Sequence, residues 1–327
     1  MNKLISVAAA KQMIADGKPL CVAGSELALD LLPAGAWIGG TSPYFMLNSG
    51  GTIIDDAHVF VTELGSLGKI SFASYGIDDL AQISSAGPEN GFGITVMPAG
   101  SACHTRFAAE AATYDFAFLR PTVGWIAGVH LTDLGTISPK VYDGRTAEKF
   151  DDRAVVAYVA LPDDKLAVID IVNLFEPEEG DLLRFHSTGF EVASCLVNGH
   201  ETNFADYLRR RGLQDGTLPL IGDYAGARIN VSLQHVGESG GKVSLYAPVF
   251  PEVDYRFAKP VGDYASAFKA RLSAQPVDGV AMSCNCILNF VFGELEGKTI
   301  STLEGPVAFG EIAYQLLNQT LVMVRIQ

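Results

Sequence analysis

Side chains able to hold a ligand gather in the C-terminal part of the chain. They fall in the runs Ser283-Cys284-Asn285-Cys286-Ile287-Leu288-Asn289, Gly305-Pro306-Val307-Ala308-Phe309-Gly310-Glu311-Ile312-Ala313-Tyr314 and Asn318-Gln319-Thr320. Each polar group is set in apolar sequence that a fold should bury. An unpaired buried polar group costs roughly 1–3 kcal/mol. These runs therefore either line a pocket or knit strands together. For the first role, Glu311 is a carboxylate that could hold an amine or a guanidinium, and Gly310 beside it permits close approach or marks a bulge. On a strand, Ser283 and Asn285 share one face, with Cys284 and Cys286 on the other. Asn285 and Asn289 offer amide contacts, and Tyr314 a ring with a hydroxyl. The two cysteines read as small buried hydrophobes. A nucleophilic thiol needs a helix N-terminus or a nearby cation, and no histidine lies close to them in sequence.

A second set lies in Pro98-Ala99-Gly100-Ser101-Ala102-Cys103-His104, between a strand and a helix. Ser101 reads as the helix N-cap. Free amides at such a terminus can hold an anion or carboxylate, with His104 and Arg106 as the polar reach. This is the expected pocket edge in the first half of the chain. The lysine of a P-loop and the G-x-G-x-x-G dinucleotide fingerprint are both missing there. The histidines at 58, 104, 130, 186, 200 and 235 show no H-x-H or H-x-x-x-H spacing. A zinc site needs three or four convergent ligands, so neither a metal nor another cofactor is expected.

The elements that must position these residues alternate early in the chain. Helices are expected at 3–16 and 25–31, strands at 36–40, 57–64 and 92–98, a helix at 102–114 and a strand at 122–130. Strand, helix and strand in succession suggest crossover units on a mixed sheet. Residues 153–161, 166–174, 181–186 and 190–198 read as an antiparallel meander, punctuated by Pro162-Asp163-Asp164 and Glu176-Pro177-Glu178-Glu179-Gly180. Asn198-Gly199 marks a turn, and a helix at 202–211 ends at Gly212. Strands at 228–236, 242–249 and 253–258, a helix at 263–273, and strands at 279–286, 307–312 and 320–326 follow. The fold class is α/β of the α+β kind: two similar domains with mixed, largely antiparallel sheets flanked by helices. The division is placed at 1–198 and 199–327. Gly35-x4-Gly40-x3-Tyr44 repeats the spacing of Gly305-x4-Gly310-x3-Tyr314, which would make these hairpins equivalent in a duplicated fold.

The bulk properties narrow the function. A length of 327 residues suits two domains, and 48% hydrophobic residues with 34 glycines suit a compact, turn-rich protein. The net charge of −14 excludes non-specific binding to nucleic acid or anionic membranes. Five scattered cysteines form no disulfide framework and fit a reducing cytoplasm. The N-terminal run reads as an amphipathic helix ending at Gly17 rather than a signal peptide. No stretch approaches ~20 uninterrupted apolar residues, so no membrane span is expected.

Several segments also resemble a known family. GPVAFGEIAYQLLNQTLVMV is similar to the end of the FIST C domain, and MSCNCILN to the strand that precedes it. AWIGGTSPYFMLNSGGTIIDDAHVFVTEL is similar to a Gly-rich strand and hairpin of the FIST N domain. FHSTGFEVASCLVNGHETNFADYLRRRG resembles the junction between the two. The region 120–180 departs from that pattern. FIST modules (F-box and intracellular signal transduction) are sensory domains for small ligands, amino acids among them, and some relatives bind haem. The resemblance implies no catalytic residues, and no local motif here marks a haem ligand. It implies a sensor of a small polar metabolite acting on a signalling partner in trans, and it is compatible with a homo-oligomer. The ligand-binding residues would be Glu311, Asn285, Ser283, Tyr314, Ser101, His104 and Arg106. The alternative is a hydrolase or transferase using Cys284, Cys103 or Ser101, and a third reading is a purely structural protein. A binding role is favoured over an enzymatic one because no catalytic triad is apparent.

Overall fold

The computed structural model describes residues 2–224 and 226–327. Within them the chain forms five sheets, mixed or antiparallel, with short helices between: an α+β fold, as expected. The N-terminal sheet runs in the order Asn2–Ser6, His58–Glu63, Leu20–Gly24, Trp37–Thr41, Val141–Asp143, Glu148–Phe150. The central sheet runs Gln315–Leu317, Glu311–Ala313, Thr122–Ala127, Gly91–Pro98, Ala154–Ala160, Lys69–Tyr75. The C-terminal sheet runs Ala167–Asn173, Thr320–Ile326, Val280–Cys286, Gly305–Ala308, Tyr44–Leu47, Gly50–Ile53. A side sheet is built from residues between 183 and 257. A small three-stranded sheet joins Gly189–Val192, Val243–Val249 and Leu233–Val236.

The central sheet is covered on both faces, and its sequence shows why. Along Ala154–Ala160, Val155, Ala157 and Val159 enter one core with Ile94, Val96, Trp125, Cys284 and Val324. The alternate residues Ala154, Val156 and Tyr158 enter another with Phe107, Ile126, Leu208, Leu245 and Tyr255. A strand apolar at every position is suited to the middle of a sheet, since alternation sends each residue to one face or the other. Gly91–Pro98 and Thr122–Ala127 pair in parallel. The helix Ala102–Glu110 supplies the crossover that parallel pairing needs.

Several expectations change. The N-terminal helix begins at Val7, not at residue 3, because Ser6 caps it by accepting from the Ala9 N–H; Asn2–Ser6 is a strand paired with His58–Glu63. The middle strands do not form a meander. Ala154–Ala160 lies between Gly91–Pro98 and Lys69–Tyr75, whereas Ala167–Asn173 pairs with Thr320–Ile326. The doubly apolar strand takes the buried position and the half-exposed one takes an edge. The two Gly-Tyr frames are not equivalent either. Gly40 lies inside a strand and Tyr44 begins the next, while Gly310 lies between strands and Tyr314 turns a hairpin at φ 64°. Gly305–Ala308 in fact pairs with Tyr44–Leu47. Strands from both sides of residue 198 meet in the central and C-terminal sheets. Among the described residues, no helix is long and apolar enough to cross a membrane.

Candidate functional site

Strand Gly91–Pro98 and its parallel neighbour Thr122–Ala127 end side by side, and a cleft of about 820 Å³ opens beyond their carboxyl ends. Such ends are where sheets with crossover helices hold ligands. One wall begins with Ala99, Gly100 and His104; a second is the loop from Val129 to Pro139. A third comes from the small sheet, with Phe190, Leu233 and Tyr246. The helix Ile287–Phe292 and Phe309 complete the lining. Phe309 lies so tightly on Gly128 that a Cβ there would fall 2.3 Å from its ring. Leu134, Ile137 and Val291 are 52%, 47% and 42% exposed at the mouth.

His104 is the most distinctive polar group in this lining. Ser101 caps the helix by accepting from the His104 N–H at 3.0 Å. This places the imidazole where its Nδ1 accepts from the Gly100 N–H at 3.2 Å. Gly100 adopts φ 73°, a left-handed conformation that glycine reaches without strain. The ring is 7% exposed and stands edge-on to Phe190, with centroids 6.0 Å apart. Burial pushes its pKa down to about 4, so it is neutral at pH 7. Among the described residues, Nε2 has no hydrogen-bond partner.

The C-terminal polar runs lie behind the cleft. Glu311 is 0% exposed and opposes Trp125 across the strand pair. The Thr320 hydroxyl and N–H both donate to Glu311 Oε2, at 2.7 and 3.3 Å. Burial pushes the carboxyl up to about 8, while hydrogen bonding from Thr320 and the nearby Cys286 thiol works in the other direction. Among the described residues, no hydrogen bond reaches Oε1. Asn289 Nδ2 donates to Asn285 Oδ1 at 2.9 Å and to the Thr320 carbonyl at 3.0 Å, while its Oδ1 accepts from the Tyr264 hydroxyl at 2.7 Å. Further along, the Ser232 hydroxyl lies 2.6 Å from Asn318 Oδ1 and 2.5 Å from Gln319 Oε1. Asn230 Nδ2 donates to the carbonyls of Asn318 and Gln319. These groups tie the C-terminal sheet to the side sheet. Chain neighbours of these groups line the cleft. Ile287 and Leu288 line the cleft between Cys286 and Asn289, Leu233 follows Ser232, and the Tyr246 N–H donates to the Ser232 carbonyl.

The residues singled out from sequence thus separate. His104 lines the cleft, and Ser101 orients it from below. Arg106, on the same helix, pairs with Asp78 at 3.0 Å and Glu110 at 3.1 Å and is not part of the lining. Glu311 and Asn285 belong to the buried network. The Ser283 hydroxyl donates to the Glu304 carbonyl at 3.1 Å. Tyr314 stacks on Phe118 at 5.9 Å. Sequence reasoning passed over Tyr246, Phe190, Phe309 and the loop carrying Leu131, Leu134 and Ile137. Those three large apolar residues in a turn-rich stretch were the available signal, since such side chains usually have a surface to cover.

The alternative nucleophiles are poorly placed. All five cysteines are buried free thiols, and desolvation raises each, Cys103 and Cys195 to about 12. The Ser101 hydroxyl accepts from a backbone amide, and the imidazole beside it engages Gly100 instead. Among the described residues, no three His, Cys, Asp or Glu side chains are grouped to hold a metal ion. With this geometry in place, comparison with known proteins gives one result. A family model matches residues 5–327, and the chain belongs to that family, DUF6976, a family of unknown function. No curated protein matches it.

Proposed function

We propose that the protein binds a small molecule in the cleft at the end of the paired parallel strands, and that it acts as a sensor rather than a catalyst. The carrying observation is the cleft itself. It has the size of ligand sites, and its walls combine apolar side chains such as Leu134, Phe190, Leu233 and Phe309 with polar ones such as His104, Gln234 and Ser244. The raised thiols and the engagement of Ser101 speak against the hydrolase or transferase alternative. The sensory role, with a signalling partner in trans, has its support in the resemblance to FIST modules. An amino-acid-like ligand is harder to accommodate, because the lining includes Glu191 and Asp215 but no Lys or Arg to meet a carboxylate. Five buried free thiols favour a reducing compartment, the cytoplasm.

The reading is tested by filling the cleft. Val291 lies at the mouth and is 42% exposed, so Val291→Trp should leave the melting temperature of the free protein nearly unchanged. A library of small metabolites is then screened by thermal shift against both forms. A hit should raise the wild-type midpoint, with about 2.7 kcal/mol of added stability at 100 times its dissociation constant, and should lose that effect in V291W. Hits that shift both forms equally, or no hit at all at saturating concentrations, would overturn the proposal.

A further inference from the structure

We infer that the ligand is an uncharged, largely apolar molecule bearing a carbonyl-type oxygen, and that His104 Nε2–H is the donor that recognises it. This rests on the cleft being the binding site. A neutral imidazole has one donor nitrogen and one acceptor nitrogen. Nδ1 already accepts from the Gly100 N–H, so the hydrogen is on Nε2. Among the described residues that donor has no partner, and its residue is 7% exposed and lines the cleft beside the apolar side chains of Phe190, Leu233 and Phe309. A buried donor left unmade is unfavourable, and an acceptor on a ligand would relieve it.

The charged side chains in the rest of the lining limit which acceptor fits. They are Glu191 and Asp215. Arg106, which could have offset a carboxylate, is occupied by Asp78 and Glu110. An anion entering the cleft would therefore meet two acidic groups, of which only Glu191 is offset by a cation, Lys242 at 3.2 Å. A ketone, lactone or amide oxygen carries acceptor strength without net charge. Nε2 is covered in the free protein, so contact requires a small rotation of the imidazole or of Phe190, whose ring stands edge-on beside it.

The test uses toluene, acetophenone and benzoate as probes of one ring with no acceptor, a carbonyl and a carboxylate. Binding is followed by saturation-transfer NMR, and His104 by imidazole nitrogen shifts. The free protein should show the Nε2–H tautomer at pH 7. Acetophenone should bind about five- to tenfold more tightly than toluene, the effect of one hydrogen bond, and should move the Nε2 signal. Benzoate should bind more weakly than either. His104→Phe should bring acetophenone down to the affinity of toluene. Equal binding of toluene and acetophenone with an unmoved imidazole signal, or an Nδ1–H tautomer, overturns the donor role of His104 and leaves the cleft reading intact. Binding of all three probes that V291W does not affect, or of none, overturns both.

Discussion

His104 and Glu311 are both buried, and burial displaces them in opposite directions because it penalises whichever form is charged. For Glu311 the folded protein holds the proton more tightly than the unfolded chain, about 8 against 4.5. Its contribution to stability is complete below pH 4.5 and is lost as pH rises toward 8. For His104 the unfolded chain takes the proton more readily, at 6.5 against about 4. Its contribution is complete above pH 6.5 and is lost as pH falls toward 4. The two slopes oppose one another between pH 4.5 and 6.5, and Glu311 alone remains above that. Urea titrations from pH 6.5 to 9 should show wild type losing stability that Glu311→Gln retains, at about 1.4 kcal/mol for each tenfold difference in proton affinity. Parallel stability curves for the two proteins would refute the raised carboxyl. Between pH 4.5 and 6.5 the two slopes offset one another in wild type, so His104→Phe should lose stability as pH rises where wild type stays nearly flat. Both residues were visible in the sequence as candidates, but their assignments differ in outcome. A polar residue among apolar neighbours reads the same whether it faces a ligand or another strand, and only the partner, Thr320 for Glu311, decides between them.

At the scale of elements, local chemistry was legible where one residue enforces it. Ser101 caps its helix, Asn203 caps Phe204–Arg211, and Gly212 ends that helix at φ 67°. Helix Ile287–Phe292 is not legible in the sequence, because Ile287, Phe290, Val291 and Phe292 favour a strand and tertiary context overrides that preference. Yet this short helix stands between the cleft and the buried polar network. Ile287, Leu288, Val291 and Phe292 face the cleft, while Asn289 turns inward and joins Tyr264, Asn285 and Thr320. Asn289→Ala strips partners from three buried groups at once. At about 1–3 kcal/mol for each group left unsatisfied, the loss should be at least about 3 kcal/mol by chemical denaturation. A loss below 1 kcal/mol would mean that water or side-chain rearrangement replaces Asn289. V291W, on the opposite side of the same helix, is the control that should be nearly neutral.

For the molecule as a whole, the fold class could be read from the alternation of elements, but the strand partners could not. Hydrophobic patterning states which face of a strand is buried and says nothing about which strand lies beside it. Thr320–Ile326, at the end of the chain, is an interior strand of its sheet, between Ala167–Asn173 and Val280–Cys286. Tyr44–Leu47 takes Gly305–Ala308 as its neighbour, and Thr122–Ala127 takes Glu311–Ala313. The halves on either side of residue 198 are thus hydrogen-bonded into shared sheets. A fragment ending at residue 198 would leave Ala167–Asn173 without the strand it pairs with and would expose one edge of Thr122–Ala127. Exposed apolar strand edges favour aggregation over cooperative folding. The fragment should therefore show no sigmoidal melt and should bind a hydrophobic dye, whereas the full chain should unfold in one transition in which far-UV and near-UV signals coincide. A cooperative melt of the isolated fragment would establish residues 1–198 as an independent domain. Two resolved transitions in the full chain would show that the shared strands do not couple the halves.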